Sequence, residues 1–192
     1  KLVTAAVYKE HQEDLEQLRK LAIHIGNSPR FEIDISRFEY TEDKEEEKVG
    51  GLRIYVYSPL MIACEKLRAI CQQMKEYGPI VMRTGRAGSP RARDFFDIYI
   101  LVDRFKLDMT SAKALNILQQ MFAMKRVPIK FLDLIPEQRE FHAAGAKSLQ
   151  ETIAPGEKLE SFDFYFEYVL DLSARIQEAL TRNQPAHTGA NS

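Results

Sequence analysis

Residues 57–69, with the sequence YSPLMIACEKLRA, carry the strongest fold signal in the chain. Ser58 can cap a helix with its hydroxyl group, and Pro59 suits the first helical position because its missing N–H needs no partner there. We predict a helix from Ser58 to about Tyr77 that ends before Gly78 and Pro79. Apolar residues recur along it at helical spacing, which predicts one buried face. That face comprises Leu60, Cys64, Leu67, Cys71 and Met74.

Two β-rich segments precede this helix. Residues 31–36 (FEIDIS) alternate between apolar and polar, which predicts a half-buried strand, and residues 52–57 (LRIYVY) form a second run of the same kind. Residues 41–48 between them are charged and mostly acidic, so we interpret them as a solvated loop. The simplest arrangement is an antiparallel hairpin over residues 31–57 that packs on the helices.

Most of the remaining chain is predicted to be helical, which gives an α+β protein with a small antiparallel sheet followed by a helical C-terminal bundle. We expect residues 1–105 to form a core, residues 106–182 a helical extension packed on it, and residues 183–192 a disordered tail. Phe162 and Phe166 are one helical turn apart and are predicted to belong to the core. The predicted helices cover residues 10–25, 93–105, 110–125, 136–153 (after a short turn at 129–135) and 162–182.

Composition excludes several functional classes. The 192 residues include 27 Lys and Arg against 28 Asp and Glu, and the net charge of −1 does not favour a general binder of nucleic acid or membrane surfaces. No apolar run reaches the roughly 18–20 residues of a membrane span. Cys64 and Cys71 lie among apolar neighbours, as buried reduced thiols do. We therefore expect a cytoplasmic protein, and because the chain begins at Lys1 and not at Met, we expect further residues upstream.

Charged residues on several neighbouring segments are the candidates for chemistry. Two carboxylates on one strand face can bind a divalent cation, and lysine and arginine neutralise phosphate charge. Together they indicate phosphoryl or nucleotidyl transfer, although each pattern taken alone also fits a solvated surface. The chain lacks GxxxxGK[ST], GxSxG, HExxH, CxxC and GxGxxG motifs. The candidates are Glu32, Asp34, Lys66, Arg83, Arg86, Arg91, Arg93, Asp94 and Asp97.

The EKLRA run within residues 57–69, followed by residues 92–99 (ARDFFDIY), resembles the nucleotidyltransferase family of abortive-infection toxins of the AbiEii/AbiGii type. In that family a helix with the pattern E-K-L-x-A precedes, after an arginine-bearing link, a helix with the pattern R-D-x-x-D. Residues 31–36 resemble the strand that comes before the first of these helices. The resemblance is good over residues 31–105 and looser beyond them. It implies a polymerase-β-like nucleotidyltransferase fold.

The resemblance also implies roles for individual residues. Lys66 corresponds to an essential lysine that contacts nucleotide phosphates, and Asp94 and Asp97 to the acids beside it, so Lys66 and Asp94 should lie within about 6 Å of each other. Asp34 corresponds to a metal-binding carboxylate, with Glu32 next to it as a candidate that has no firm counterpart. The arginines that would hold the nucleotide or the acceptor RNA are Arg83, Arg86, Arg91 and Arg93.

The implied activity is that of a toxin in a two-gene bacterial toxin–antitoxin system, which uses Mg²⁺ and an NTP to modify an RNA such as tRNA and is paired with a cognate antitoxin. Family members carry an upstream Gly-Ser or Gly-Thr turn and a D-x-D strand, and this chain has neither before residue 31. We therefore expect a C-terminal portion that does not catalyse by itself. The alternative is a non-catalytic helical interaction domain that docks a protein partner, with residues 162–168 as partner surface.

Overall fold

Helices dominate the structure, as the apolar periodicity predicts. The computed structural model describes residues 1–24, 35–36, 38–83, 85, 88–147, 149 and 159–183. Residues 1–37 and 38–192 form two compact units. The elements are α1 (Ala5–His11), α2 (Leu15–Lys20), β1 (Glu45–Val49), β2 (Leu52–Val56), α3 (Pro59–Cys71), α4 (Tyr77–Ile80), α5 (Ala92–Phe105), α6 (Ala112–Met124), a 3₁₀ helix (Ile129–Gln138), α7 (Arg139–Ala143) and α8 (Phe162–Arg182).

The first unit contains two short helices where one was predicted over residues 10–25. Thr4 caps α1 by accepting a hydrogen bond from the Val7 N–H at 3.3 Å. Asp14 caps α2 in the same way, accepting from the Gln17 N–H at 3.0 Å. Because an N-cap residue has extended backbone angles, Asp14 cannot continue a helix from the preceding residues. The prediction of one continuous helix was wrong for this reason.

In the described part of the chain the sheet is a hairpin of β1 and β2, and the predicted pairing of residues 31–36 with residues 52–57 falls mostly on residues outside that part. Gly50 and Gly51 have positive φ angles of 58° and 82° and form a two-residue turn, which pairs Val49 with Leu52 and Glu45 with Val56. The acidic run therefore contributes a strand, and its assignment to a solvated loop was wrong over residues 45–48. The predicted strand at 31–36 lies mostly outside the described residues.

The hairpin is exposed to solvent on both faces. Nine of its ten residues are exposed, and Val56 is intermediate. The apolar side chains of Val49 and Leu52, paired across the two strands, keep 60% and 71% of their surface accessible. The prediction that the hairpin packs on the helices was therefore wrong for these residues. A small sheet beside helices is nevertheless observed, so the α+β fold class is confirmed.

Helix α3 begins as predicted and lies at the centre of the core. The Ser58 hydroxyl accepts from the Met61 N–H at 3.2 Å, and Pro59 occupies the first turn. The helix ends at Cys71, before the predicted end at Tyr77, and Gly78 and Pro79 lie inside the short helix α4. Proline is tolerated there because the first turn of a helix has unpaired N–H groups anyway. Of the predicted buried face, Leu60 is partly buried, and the other four residues are buried.

Both cysteines are buried free thiols, as predicted. Burial raises the pKa of Cys64 to about 12 and also raises the pKa of Cys71, because a thiolate loses solvation in the apolar core. Because both thiols stay protonated at neutral pH, neither is reactive. Their contribution is to packing between α3 and its neighbours.

Aromatic side chains join α5 to α8. The Phe95 ring lies 5.4 Å from that of Phe166 and 5.5 Å from that of Phe162, which confirms the predicted core position of these two residues. Phe164 is 43% exposed, and its ring lies 5.2 Å from that of Tyr99. These contacts fix the N-terminal part of α5 against α8, and α5 carries two of the predicted site residues.

The described part of the C-terminal half consists of helices joined by turns and short irregular segments. Helix α6 starts after the cap Ser111, whose hydroxyl accepts from the Ala114 N–H at 3.3 Å, and α8 has the predicted bounds. The predicted turn at 129–135 is part of a longer 3₁₀ helix, which also contains the first three residues of the helix predicted over 136–153. That prediction was wrong at its start, because the α-helix begins at Arg139, and α7 ends at Ala143 before a turn at residues 144–145. Within the described ranges no strand follows Val56.

None of the described helices is long and apolar enough to cross a membrane. Apart from Asn183, the predicted disordered tail lies outside the described residues. The division into a core and a helical extension at residue 105 stays a prediction.

Candidate active site

Lys66 is held between two carboxylates that arrive from another helix. Its Nζ atom lies 3.1 Å from Asp94 Oδ1 and 2.7 Å from Asp97 Oδ2. The predicted closeness of Lys66 and Asp94 is therefore confirmed. The side chain of Lys66 is 22% exposed, that of Asp97 20% and that of Asp94 6%. The ammonium group is thus largely removed from water, yet one side of it remains accessible.

The geometry follows from the pairing of α3 with α5. Asp94 and Asp97 are three residues apart on α5, so their side chains lie on the same face of the helix. Asp94 is also in the first turn, where a carboxylate interacts favourably with the helix dipole. Contacts between α3 and α5 bring this face to Lys66.

Two arginines complete the charged cluster. Arg91 Nε donates to Asp94 Oδ2 at 2.5 Å, and Arg93 Nε lies 3.6 Å from Asp97 Oδ2. Each carboxylate therefore contacts Lys66 and one arginine. With three cations and two anions, the cluster carries a formal charge of +1, which favours an anionic ligand beside it.

The pKa of Lys66 is raised above its ordinary value. Burial acts in the opposite direction and is the largest single influence, but the hydrogen bond to Asp97 and the negative charges of Asp94 and Asp97 together outweigh it. Lys66 is consequently a stable ammonium cation at neutral pH. Two of its three N–H groups donate to the carboxylates. The third has no partner among the described residues and is available to a ligand.

His142 supports the start of α5 from the side of the core. The side chain is fully buried, and its Nδ1 accepts a hydrogen bond from the Arg91 backbone N–H at 3.1 Å. Because Nδ1 is the acceptor, the neutral ring carries its proton on Nε2, which has no partner among the described residues. Burial lowers the pKa of His142 to about 4; the Asp94 charge opposes this shift and the Arg91 charge adds to it. His142 therefore stays neutral at pH 7.

An open cleft of about 340 Å³ lies beside this cluster, and we call it the Lys66 cleft. Glu65 and Arg68 on its wall pair with each other, with Arg68 Nε donating to Glu65 Oε2 at 2.9 Å. Arg68 also donates to Gln72. The lining residues are Tyr57, Ile62, Glu65, Lys66, Arg68, Ala69, Gln72, Gln73 and Arg91.

Residues 4–168 match the family model described as nucleotidyl transferase AbiEii toxin of type IV toxin–antitoxin systems. The chain belongs to this family. The match extends the resemblance seen in the two motifs to most of the sequence. Neither a curated protein nor a solved structure was found to be similar. The AbiEii family is one of toxin nucleotidyltransferases, and its description as part of a toxin–antitoxin system implies an antitoxin as partner.

The structure brings some of the predicted AbiEii site residues together and places another elsewhere. Arg91 and Arg93 join Lys66, Asp94 and Asp97 in one cluster. Arg83 instead lines a second cavity. The remaining candidates, Arg86, Glu32 and Asp34, lie outside the described residues.

The Mg²⁺ implied by the family resemblance has no suitable ligand set in the described part of the chain. No group of three or more metal-ligating side chains occurs there. Both oxygens of Asp94 and Oδ2 of Asp97 are already bonded to cationic nitrogens, which a metal ion would have to displace. These two acids therefore fit the role of holding Lys66 and do not fit that of metal ligands. Glu32 and Asp34 stay the predicted ligands.

Two parts of the site were not predicted from sequence. His142 lies 51 residues from the backbone group it supports, and no motif spacing marks it. Glu39 accepts from Lys125 Nζ at 2.6 Å and from the Tyr57 hydroxyl at 3.5 Å, which ties the rim of the Lys66 cleft to the end of α6. Such contacts between distant segments leave no local pattern from which they could be read.

The loop that leads into α5 is anchored through Gly88 to Gln73, two residues beyond the end of α3. A Cβ atom at this position would fall well inside contact distance of the Gln73 backbone carbonyl. The next residue, Ser89, donates its backbone N–H to Gln73 Oε1 at 3.0 Å. This close approach fixes the segment that ends in Arg91.

We therefore expect the Gly88→Ala substitution to displace this segment and to lower the free energy of unfolding by about 2 kcal/mol, as overpacking against a backbone does. Urea denaturation measures the change. Ser89→Ala is the matched control, because it keeps the backbone N–H, and it should cost less than about 0.5 kcal/mol. Equal stability of Gly88→Ala and the wild type would contradict this anchoring.

Proposed function

We propose that this AbiEii protein transfers a nucleoside monophosphate from an NTP to an RNA acceptor, with Lys66 contacting the phosphates of the NTP. The observation that carries the proposal is the state of Lys66. Its ammonium group is charged, held by two carboxylates and partly exposed beside an open cleft. A lysine that served only to stabilise the core would not need an open cleft beside it or an N–H group available to a ligand.

The charge of the cluster supports binding of a triphosphate. An NTP carries several negative charges, and the cluster presents a net positive charge with the third N–H of Lys66 available. Arg91 lines the same cleft, and only its Nε is bonded to Asp94, so its terminal nitrogens can donate to a phosphate oxygen. Lys66 and Arg91 are therefore proposed as the phosphate-binding pair.

Asp94 and Asp97 are proposed as positioning residues. They fix the direction of the Lys66 side chain and keep it protonated, which removes the cost of ordering a flexible lysine when the nucleotide binds. Arg93, 52% exposed, adds positive charge beside Asp97. In the proposed reaction an RNA hydroxyl attacks the α-phosphorus, and the bond to the β-phosphate oxygen breaks with release of pyrophosphate. Lys66 would stabilise negative charge that develops on the phosphates.

Mg²⁺ would neutralise the triphosphate and align it for in-line attack. Its proposed ligands remain Asp34 and Glu32. The proposed acceptor is an RNA such as tRNA, and the proposed setting is the cytoplasm.

The proposal is tested with labelled NTPs, Mg²⁺ and total tRNA. Protein made from the complete gene should transfer label, and the Lys66→Met variant should not. Lys113→Met is the matched control, since Lys113 also pairs with an aspartate, Asp43 at 3.5 Å, but is 68% exposed and does not line the cleft. Equal transfer by Lys66→Met and the wild type would overturn the proposed role.

A second candidate is a non-catalytic domain that docks a protein partner such as the antitoxin. The exposed apolar side chains of Val49 and Leu52 on the hairpin favour it. The aromatic segment of α8 does not, because Phe166 is buried and Phe162 is partly buried against Phe95. Growth inhibition that survives Lys66→Met, and that co-expressed antitoxin relieves in the wild type but no longer relieves in Leu52→Asp, would favour this candidate.

A further inference from the structure

A second cavity, of about 410 Å³, lies next to the Lys66 cleft, and we call it the Arg126 cavity. Gln72 lines both. Three basic residues from two different segments meet at the Arg126 cavity, and none of its described lining residues is acidic. The residues that matter here are Phe38, Gln72, Tyr77, Arg83, Lys125 and Arg126.

Two of the three cations have no carboxylate partner within the ranges that the structure describes. Lys125 is paired with Glu39 at 2.6 Å. Arg83 and Arg126 form no ion pair with any described residue, and both are exposed. Two unpaired guanidinium groups around one cavity raise the local positive potential and can bind a phosphate with several donors.

The backbone at Arg126 is in a conformation that normally favours glycine. Its φ angle is +56°, and the Val127 N–H closes the end of α6 by donating to the Phe122 carbonyl at 2.9 Å. Glycine is the usual residue at such a helix end, because a side chain there costs free energy. Met82, just before Arg83, also has a φ angle of +56°. Arg126 therefore has a strained backbone itself, whereas Arg83 follows a residue that does.

Aromatic groups add a surface for a nucleobase. Phe38 is 58% exposed at the Arg126 cavity. Tyr77 is buried and fixed, since its hydroxyl donates to the Lys125 carbonyl at 2.8 Å and accepts from Gln72 Nε2 at 3.2 Å. An exposed ring beside unpaired guanidinium groups is the combination by which proteins bind single-stranded nucleic acid.

We propose that the Arg126 cavity binds a single-stranded segment of the RNA acceptor. Arg83 and Arg126 contact its phosphates, and Phe38 stacks on a base. The assignment rests on the proposed function for the choice of RNA as ligand. Because Gln72 lines both cavities, a strand held here lies next to the nucleotide in the Lys66 cleft, where its hydroxyl is needed.

The test is fluorescence anisotropy with a labelled ten-nucleotide uridine RNA and the full chain, at several salt concentrations. Arg126→Gly and Arg83→Ala should each weaken binding about tenfold, the effect of losing one charge-assisted contact. Each should also lower the slope of log K against log salt concentration by about 0.7. Phe38→Ala should weaken binding without changing this slope. Arg175→Ala, at an exposed arginine on α8 paired with Asp171, is the control and should bind like the wild type.

Arg126→Gly separates binding from folding. Glycine relieves the strained φ angle, so the melting temperature should rise by about 2 °C while RNA binding weakens about tenfold. A loss of affinity therefore cannot be attributed to unfolding. Wild-type affinity and an unchanged salt slope in both Arg126→Gly and Arg83→Ala would overturn the proposal.

Two further measurements distinguish this site from the Lys66 cleft. Lys66→Met should keep the RNA affinity and lose NTP binding, and Arg126→Gly should do the reverse. Failure of the transfer reaction to depend on Lys66 would remove the proposed function but leave the RNA result intact. Unlabelled UTP is the competitor that tests for a mononucleotide site. If micromolar UTP displaces the RNA, and if the affinity for UTP is lost in Arg126→Gly, the cavity binds a mononucleotide. That result would overturn the assignment to an RNA strand.

Discussion

Replacing Lys66 with methionine is expected to abolish growth inhibition by the toxin expressed from its complete gene. Methionine keeps much of the length of the side chain but removes the positive charge that would stabilise the transferring phosphates. Loss of one preorganised charge at a transition state lowers a rate by about 10²–10³-fold. Growth curves after induction, together with label transfer to tRNA in vitro, measure the effect.

The same change has a moderate cost in stability, which must be separated from the loss of activity. Asp94 is nearly buried and loses one cation, but Arg91 remains bonded to it. We expect the free energy of unfolding to fall by about 1–2 kcal/mol, less than for a buried charge left without any partner. Lys113→Met should retain toxicity. A folded Lys66→Met variant with unchanged toxicity would contradict the assigned role.

The second large effect concerns the pH dependence of stability. His142 is buried and neutral with a pKa of about 4 in the folded state, against an ordinary value near 6.5 in the unfolded chain. Between these values the unfolded state binds a proton that the folded state does not, so stability falls as pH decreases. The contribution is fully present above about pH 6.5. We expect the free energy of unfolding to fall by about 3 kcal/mol between pH 6.5 and pH 4 as this contribution is lost.

Urea denaturation between pH 7 and pH 4 measures this loss, and His142→Asn is the informative variant. The asparagine Oδ1 can accept from the Arg91 N–H as Nδ1 does, but the side chain does not titrate. The variant should be less stable at pH 7, because it leaves a cavity beside Phe95, and should lose less stability on acidification. An equal pH dependence in wild type and variant would show that His142 is not the titrating group.

Local signals in the sequence determined much of the fold. Ser58, Ser111 and Ser161 each cap a helix by accepting from a backbone N–H three residues on, and the periodicity of α8 set both of its bounds. These features depend on hydrogen bonds and side-chain spacing within one turn, so they are visible in the sequence. The paired motifs around Lys66 and Asp94 likewise identified the family and predicted their contact.

Predictions from composition and periodicity were wrong where a turn or a helix cap determined the structure of the segment. The run EEEKV was assigned partly to a loop because of its charge, yet the Gly50-Gly51 turn pairs it with β2 and makes it a strand. The helix over residues 10–25 was divided because Asp14 acts as a cap and not as a helical residue. In both cases one backbone geometry outweighed the composition of the segment.

Only the tertiary structure decided how the site is assembled. Lys66 meets its carboxylates across 28 and 31 residues, and His142 supports Arg91 across 51. The same folding separated Arg83 from the Lys66 cleft and brought it to Arg126. The physical reason is that these positions depend on which helix faces are buried together, and this is a property of the whole core. Caps and periodicity act within a few residues, so they can be read from the sequence alone.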